Sequence, residues 1–158
     1  HGNCVPSLYA GSSFEAATFE TLFHDVGVKG EVKTDPKRVL KERSHSAIRT
    51  KRDLTLAKLF SPDLKPWQIS RQSLIGTSPA LYEDTALWAE AIHHQIPSID
   101  GLVWTSNQCD PEQAYLYFGD RATESDFDIV FARDGTNDAD FLTEARQAGL
   151  RASIYFIV

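Results

Sequence analysis

The sequence predicts an α+β fold in one domain, and three observations carry that reading. Its 158 residues suffice for one hydrophobic core, because a chain of this size buries roughly 70% of its unfolded surface. Strand-like and helix-like segments follow one another without regular βαβ alternation. Hydrophobic residues make up 42%, aromatics 11% and charged residues 24%, values that exclude disordered, collagen-like and disulfide-scaffold classes. With no repeat, low-complexity tract or linker to divide it, the chain 1–158 reads as one unit.

A short apolar stretch with Val5, Leu8, Tyr9 and Ala10 ends in Gly11 and predicts a strand, a turn and then a helix. Ser12 and Glu15 have the S-x-x-E spacing of a capping box, so the helix is expected to start there and to run to about His24. Phe14, Ala17, Thr18 and Leu22 give it an apolar stripe, while Glu20 and His24, four apart, share one face. From Lys29 to Arg52 nine of the sixteen Lys and Arg residues stand against three acids, a local charge of +6 that leaves −12 for the rest. This segment reads either as a solvated loop or as a basic rim that meets an acidic partner. Alternation in Leu54, Leu56, Leu59 and Phe60 predicts a strand that stops at Ser61-Pro62. After a Pro- and Gly-punctuated loop, Leu81, Thr85, Trp88, Ala89 and Ile92 recur at helical spacing and predict a helix to His94. Strands follow at Leu102 to Trp104 and, past the turn at Asp110-Pro111, at Ala114 to Phe118. An apolar run at Phe127 to Phe131, a helix from about Asp138 to Ala148 and a strand from Ala152 to Val158 complete the series.

The net charge of −6 argues against direct nucleic-acid binding, for which a basic face supplies the affinity. No apolar run approaches the roughly 20 residues that cross a bilayer. Cys4 and Cys109 form no C-x-x-C pair, so a reducing cytoplasm is the expected location. The sequence contains no methionine, even at position 1, and the natural start is expected upstream of His1. Phosphate-loop, Rossmann, α/β-hydrolase and zincin motifs are all missing. His93-His94 reads as a solvent-facing helix end, since adjacent helical residues point about 100° apart. Glu20 with His24 supplies two metal donors where a site needs three or four, so no metal is expected.

Three blocks of residues resemble one family. The first is Leu8-Tyr9-Ala10-Gly11-Ser12-Ser13 followed by the helix Phe14 to Asp25 with Glu20 at its centre. The second is Thr85 to His93. The third is Gly101-Leu102-Val103-Trp104-Thr105-Ser106-Asn107-Gln108 and then Phe118-Gly119-Asp120-Arg121. Together they resemble the RES domain, the toxin half of a bacterial toxin–antitoxin system, with Glu20 and Ser106 at the glutamate and serine of the family pattern. The resemblance implies an ADP-ribosyltransferase-like split β-sheet with flanking helices and an NAD+ cleft. It implies chemistry at the nicotinamide–ribose bond, either hydrolysis or phosphorolysis of NAD+ or transfer of ADP-ribose to a protein. Glu20 would stabilise an oxocarbenium-like ribose, and Tyr9 would stack on the cationic nicotinamide ring. His24, Ser106 and Asn107 would hold ribose or nicotinamide by hydrogen bonds, and the Ser12–Ser13 turn at a helix N-terminus would meet a phosphate. A cognate antitoxin with a DNA-binding domain is the implied partner. The family arginine would fall before His1, with Arg49 or Arg52 as substitutes within the chain, and Asn107 stands where many relatives carry arginine. The alternative reading is a non-catalytic nucleotide- or protein-binding module of the same fold.

Overall fold

The computed structural model describes residues 5–24, 32–34, 40–41, 43–76 and 82–156. Parts of the basic segment, Cys4, Leu81 and the end of the last predicted strand lie outside them. The elements are β1 (Ser7–Gly11), α1 (Phe14–Thr21), β2 (Val32–Thr34), β3 (Ser44–Thr50), β4 (Leu56–Lys58), α2 (Ser61–Leu64), α3 (Arg71–Leu74), α4 (Tyr82–Gln95), β5 (Gly101–Thr105), β6 (Gln113–Phe118), β7 (Phe127–Asp134), α5 (Ala139–Arg151) and β8 (Ile154–Phe156). Mixed helix and strand with a split sheet make this an α+β fold. Four strands in the order β1-β6-β5-β4 form the main sheet, beside the parallel pair β2-β8 and the antiparallel ribbon β3-β7.

Alternation along the strands gives the main sheet two faces. Ala57, Leu102 and Leu116 align across β4, β5 and β6 on one face, and they pack with Leu59, Leu64, Leu74, Ile92, Ile99 and Phe118 into the largest buried cluster. Each such side chain contributes about 1.5–3 kcal/mol when removed from water. Arg121 fixes α4 over this face, because its guanidinium donates to the carbonyls of His93, Ile96 and Ile99 at 2.6–3.0 Å at the helix's C-terminal end. Tyr115 and Tyr117 stack on the reverse face, where Phe127 of the ribbon meets Tyr117 edge-on. A second cluster, with Ala16, Phe19, Phe23, Cys109, Ala148 and Ile154, joins α1 to α5 and β8.

Four expectations change. The cap of α1 is Ser13, which accepts from the Ala16 amide at 3.1 Å, and Glu15 pairs with Arg151 instead of closing a box with Ser12. The helix ends at Thr21, so His24 stands one short turn beyond it. Part of the basic segment is the strand β3, whose alternation is broken by a bulge between Ala47 and Ile48 and so escapes a period-2 reading. His93 is buried, at 7% exposure, with its Nε2 2.9 Å from Asp120, while His94 faces solvent beside Glu90.

Candidate functional site

The β1–α1 corner positions the site. Gly11 is required there, because a Cβ at this position would come within 2.6 Å of the Ala17 amide nitrogen. Only a bare backbone lets α1 fold back so tightly over the strand that precedes it. Ser12 ties the same corner to β6, since its hydroxyl accepts from the Gln113 amide at 2.9 Å and donates to Glu112.

Strand register then builds a floor. Tyr9 lies opposite Leu116 and Leu116 opposite Leu102, while the next row is Gly11, Ala114 and Trp104. Thr85, Trp88, Ala89 and Ile92 of α4 form one wall, and Ala17, Glu20 and Thr21 of α1 with His24 form the other. They enclose a first cleft of about 590 Å³, within the roughly 300–1,000 Å³ of ordinary ligand sites. Its lining is largely apolar, and the described residues that line it include no Lys or Arg.

Among the described residues Glu20 is the one carboxylate of that lining, and Ser106 holds it. The Ser106 hydroxyl donates to Glu20 Oε1 at 2.5 Å and accepts from the amides of Gln108 at 3.2 Å and Cys109 at 2.9 Å. Ser106 itself is fully buried, at 0% exposure. It therefore stands behind the glutamate and orients it, whereas Asn107 and Gln108, one and two residues on, reach the cleft. Arg71 of α3 braces this turn from below by donating to the carbonyls of Thr105 and Ser106 at 3.1 and 3.2 Å. Burial raises the Cys109 thiol above its ordinary range, and nearby Glu15 adds to the shift.

Tyr9 is 67% exposed, yet the concave surroundings desolvate its phenol and raise its pKa, so the hydroxyl keeps its proton. The structure thus brings Tyr9, Glu20, His24 and Asn107 to one cleft. Ser13 lies at the corner, where its oxygen caps α1 and its proton has no acceptor among the described residues. Arg52 is engaged elsewhere, bonded to Asp100 and Asp126 at 2.9 and 2.8 Å, and its bond to Asp100 holds that carboxyl below the usual carboxylate range. Gln108 and Arg71 were not singled out from the sequence. Gln108 closes the first run of the third block and was within reach, while Arg71 sits in a loop-like stretch with no periodicity to mark it.

A second cleft of about 940 Å³ opens on the other side of the corner, between β1, α1 and the ribbon β3-β7. Arg133 is its anchor. The guanidinium meets Glu144 through two bonds of 3.1 and 2.8 Å, and lies 5.2–5.7 Å from the ring centres of Phe14, Phe131 and Phe141. A further bond of 2.9 Å joins Arg133 to Nδ1 of His45. Desolvation, then the Arg133 charge, keep the His45 pKa below its ordinary value.

No group of three His, Cys, Asp or Glu side chains suited to a metal occurs among the described residues, and no helix among them is long and apolar enough to cross a membrane. The family model described as the RES domain matches residues 2–137, a span that holds both clefts' β1–α1 corner, Glu20 and Ser106. No curated protein and no solved structure matches the chain.

Proposed function

The chain belongs to the RES domain family, whose members are associated with use of NAD+, and on that premise we propose that it cleaves the nicotinamide–ribose bond of NAD+. The observation that carries the reading is the Ser106-held carboxylate of Glu20 in a largely apolar cleft floored by Tyr9. When the C1′–N bond breaks, its electron pair leaves with nicotinamide, and the ribose becomes an oxocarbenium-like cation. A fixed anion beside that cation lowers the barrier because it needs no reorganisation as charge develops. Ser106 supplies the fixing: its hydroxyl occupies one oxygen of Glu20 and leaves the other for a ribose hydroxyl. Tyr9 offers a ring face to the cationic nicotinamide, and Asn107 and His24 offer hydrogen bonds at the cleft rim.

The nucleophile that completes the reaction is water, phosphate or a protein side chain, and its proton leaves to Glu20 or to solvent. In this reading the protein is the toxin of a type II toxin–antitoxin pair that consumes NAD+ in the cytoplasm. Its antitoxin carries the DNA-binding domain, as the acidic net charge of the present chain would require. The direct test is nicotinamide release from NAD+ by the purified protein beside a Glu20→Ala variant. Release that vanishes in the variant supports the reading. Absence of release from the wild type, with phosphate and candidate protein acceptors supplied, would favour a non-catalytic binding module.

A further inference from the structure

The first cleft contains nothing to meet the charge of a dinucleotide's diphosphate, since no Lys or Arg lines it among the described residues. The second cleft contains what the first lacks. The two adjoin: Tyr9, Ala10, Gly11, Ala17 and Thr21 line both, so the clefts meet at the β1–α1 corner. The unspent hydroxyl proton of Ser13 stands at that corner. Beyond it, Arg43 lines the second cleft, and its guanidinium has no acidic partner among the described residues.

His45 and Phe131 add a recognition surface for a flat ring. A guanidinium only donates, so the Arg133 bond at 2.9 Å makes Nδ1 of His45 an acceptor. The His45 proton therefore sits on Nε2, which makes no hydrogen bond to any other described residue. Phe131, 43% exposed, packs edge-on to His45 with ring centres 5.3 Å apart and keeps open surface toward the cleft. A donor N–H beside an open aromatic ring, with the Arg43 guanidinium lining the same cleft, suits a purine nucleotide: a base with ring nitrogens that accept, joined to a phosphate.

We infer that the second cleft binds the adenosine monophosphate half of the dinucleotide, with the base on Phe131 and His45 and the phosphates between Ser13 and Arg43. This rests on the reading that the first cleft takes the nicotinamide riboside half. The inference gives a use to the basic segment, whose Arg43 has no acidic partner among the described residues, and it makes affinity and bond cleavage separable by mutation.

The experiment is calorimetric titration of the purified protein with AMP and, separately, with nicotinamide mononucleotide, repeated with Phe131→Ala and with the more conservative His45→Asn, each checked for a native far-UV spectrum. AMP binding weakened about tenfold by Phe131→Ala, the effect of losing one base-stacking contact, with nicotinamide mononucleotide binding unchanged, supports the inference. AMP that does not bind, or binds equally to wild type and both variants, overturns it. An equal loss for both nucleotides also overturns it, because the effect would then be on the corner they share. If AMP binds in a Phe131-dependent manner while nicotinamide mononucleotide does not bind at all, the purine site stands and the proposed reaction falls.

Discussion

The two clefts adjoin at one corner and treat charge in opposite ways. In the first, a single carboxylate is held by a neutral hydroxyl, and that hydroxyl is itself held by backbone amides. In the second, Arg133 is bound to Glu144, stacked among three phenylalanines and bonded to a neutral histidine. A charge fixed by dipoles remains available to a charge that arrives with a ligand. A charge matched by its counter-ion is neutralised within the protein and serves as framework, even though the buried Nε of Arg133 makes no hydrogen bond among the described residues. The comparison teaches that Glu20 and Arg133, similar in burial and both hydrogen-bonded, have different work to do.

Exchanging the two charged groups is the strongest way to break this contrast. Glu20→Gln is expected to lower kcat for nicotinamide release by about 10²–10³, the usual cost of removing a preorganised electrostatic group, with the urea midpoint nearly unmoved. If Glu20→Gln instead cost stability and spared turnover, the contrast would fail. Next in size, Ser106→Ala leaves the buried Cys109 amide and the more exposed Gln108 amide without their acceptor and releases Glu20, so it should destabilise the fold by about 2–3 kcal/mol as read by urea denaturation, and lower kcat more than it raises KM. Arg133→Met, which keeps most of the packing, should cost about 2 kcal/mol by the same measurement, since it strands a carboxylate that is still partly solvated. Its kcat at saturating NAD+ should stay within about twofold of wild type, because the proposed catalytic groups lie in the other cleft.

The smallest effect sharpens the second cleft alone. The folded state resists protonating His45, while the unfolded chain takes up the proton near the ordinary value of 6.5. The unfolded state thus binds more protons just below that pH, and stability that is full above it is lost as pH falls toward the depressed folded value. His45→Asn should flatten this part of a urea-midpoint profile between pH 7.5 and 5. The paired or hydrogen-bonded carboxylates Glu144 and Asp134, both below their usual range, lose their contribution in a more acid window. A profile unchanged by the substitution would place the His45 proton elsewhere.

Much of the first cleft was legible in the sequence, and little of the second. Tyr9 and Glu20 could be read because they sit on one strand and one helix joined by a turn that Gly11 announces, and His24 because it follows that helix within one turn. The α4 wall was legible for the same reason, its apolar residues recurring at helical spacing over fourteen residues. Ser106 was identified by resemblance, but its task was not. Its bond to Glu20 spans 86 positions, and only the folded sheet shows that it faces the glutamate and not the ligand. The cap of α1 went to Ser13 rather than Ser12 because two adjacent serines satisfy the same local pattern, and tertiary bonds to β6 claimed the first. The second cleft depends on β3, where a bulge and five polar or charged residues in seven hide the strand. Arg133, within an eight-residue strand with little burial, carries no sequence signal of the aromatic box around it.

Cys109 donates its amide to Ser106 and is buried at 5% exposure with its thiol pushed up in pKa. Its sulfur can react with an alkylating reagent only when the turn that carries Ser106 swings away from the core. The rate of thiol labelling therefore times the opening of that turn, and it does so without a substrate. A ligand that seats against Glu20 and steadies the turn would slow the labelling. The protein thus carries an internal clock for occupancy of its first cleft.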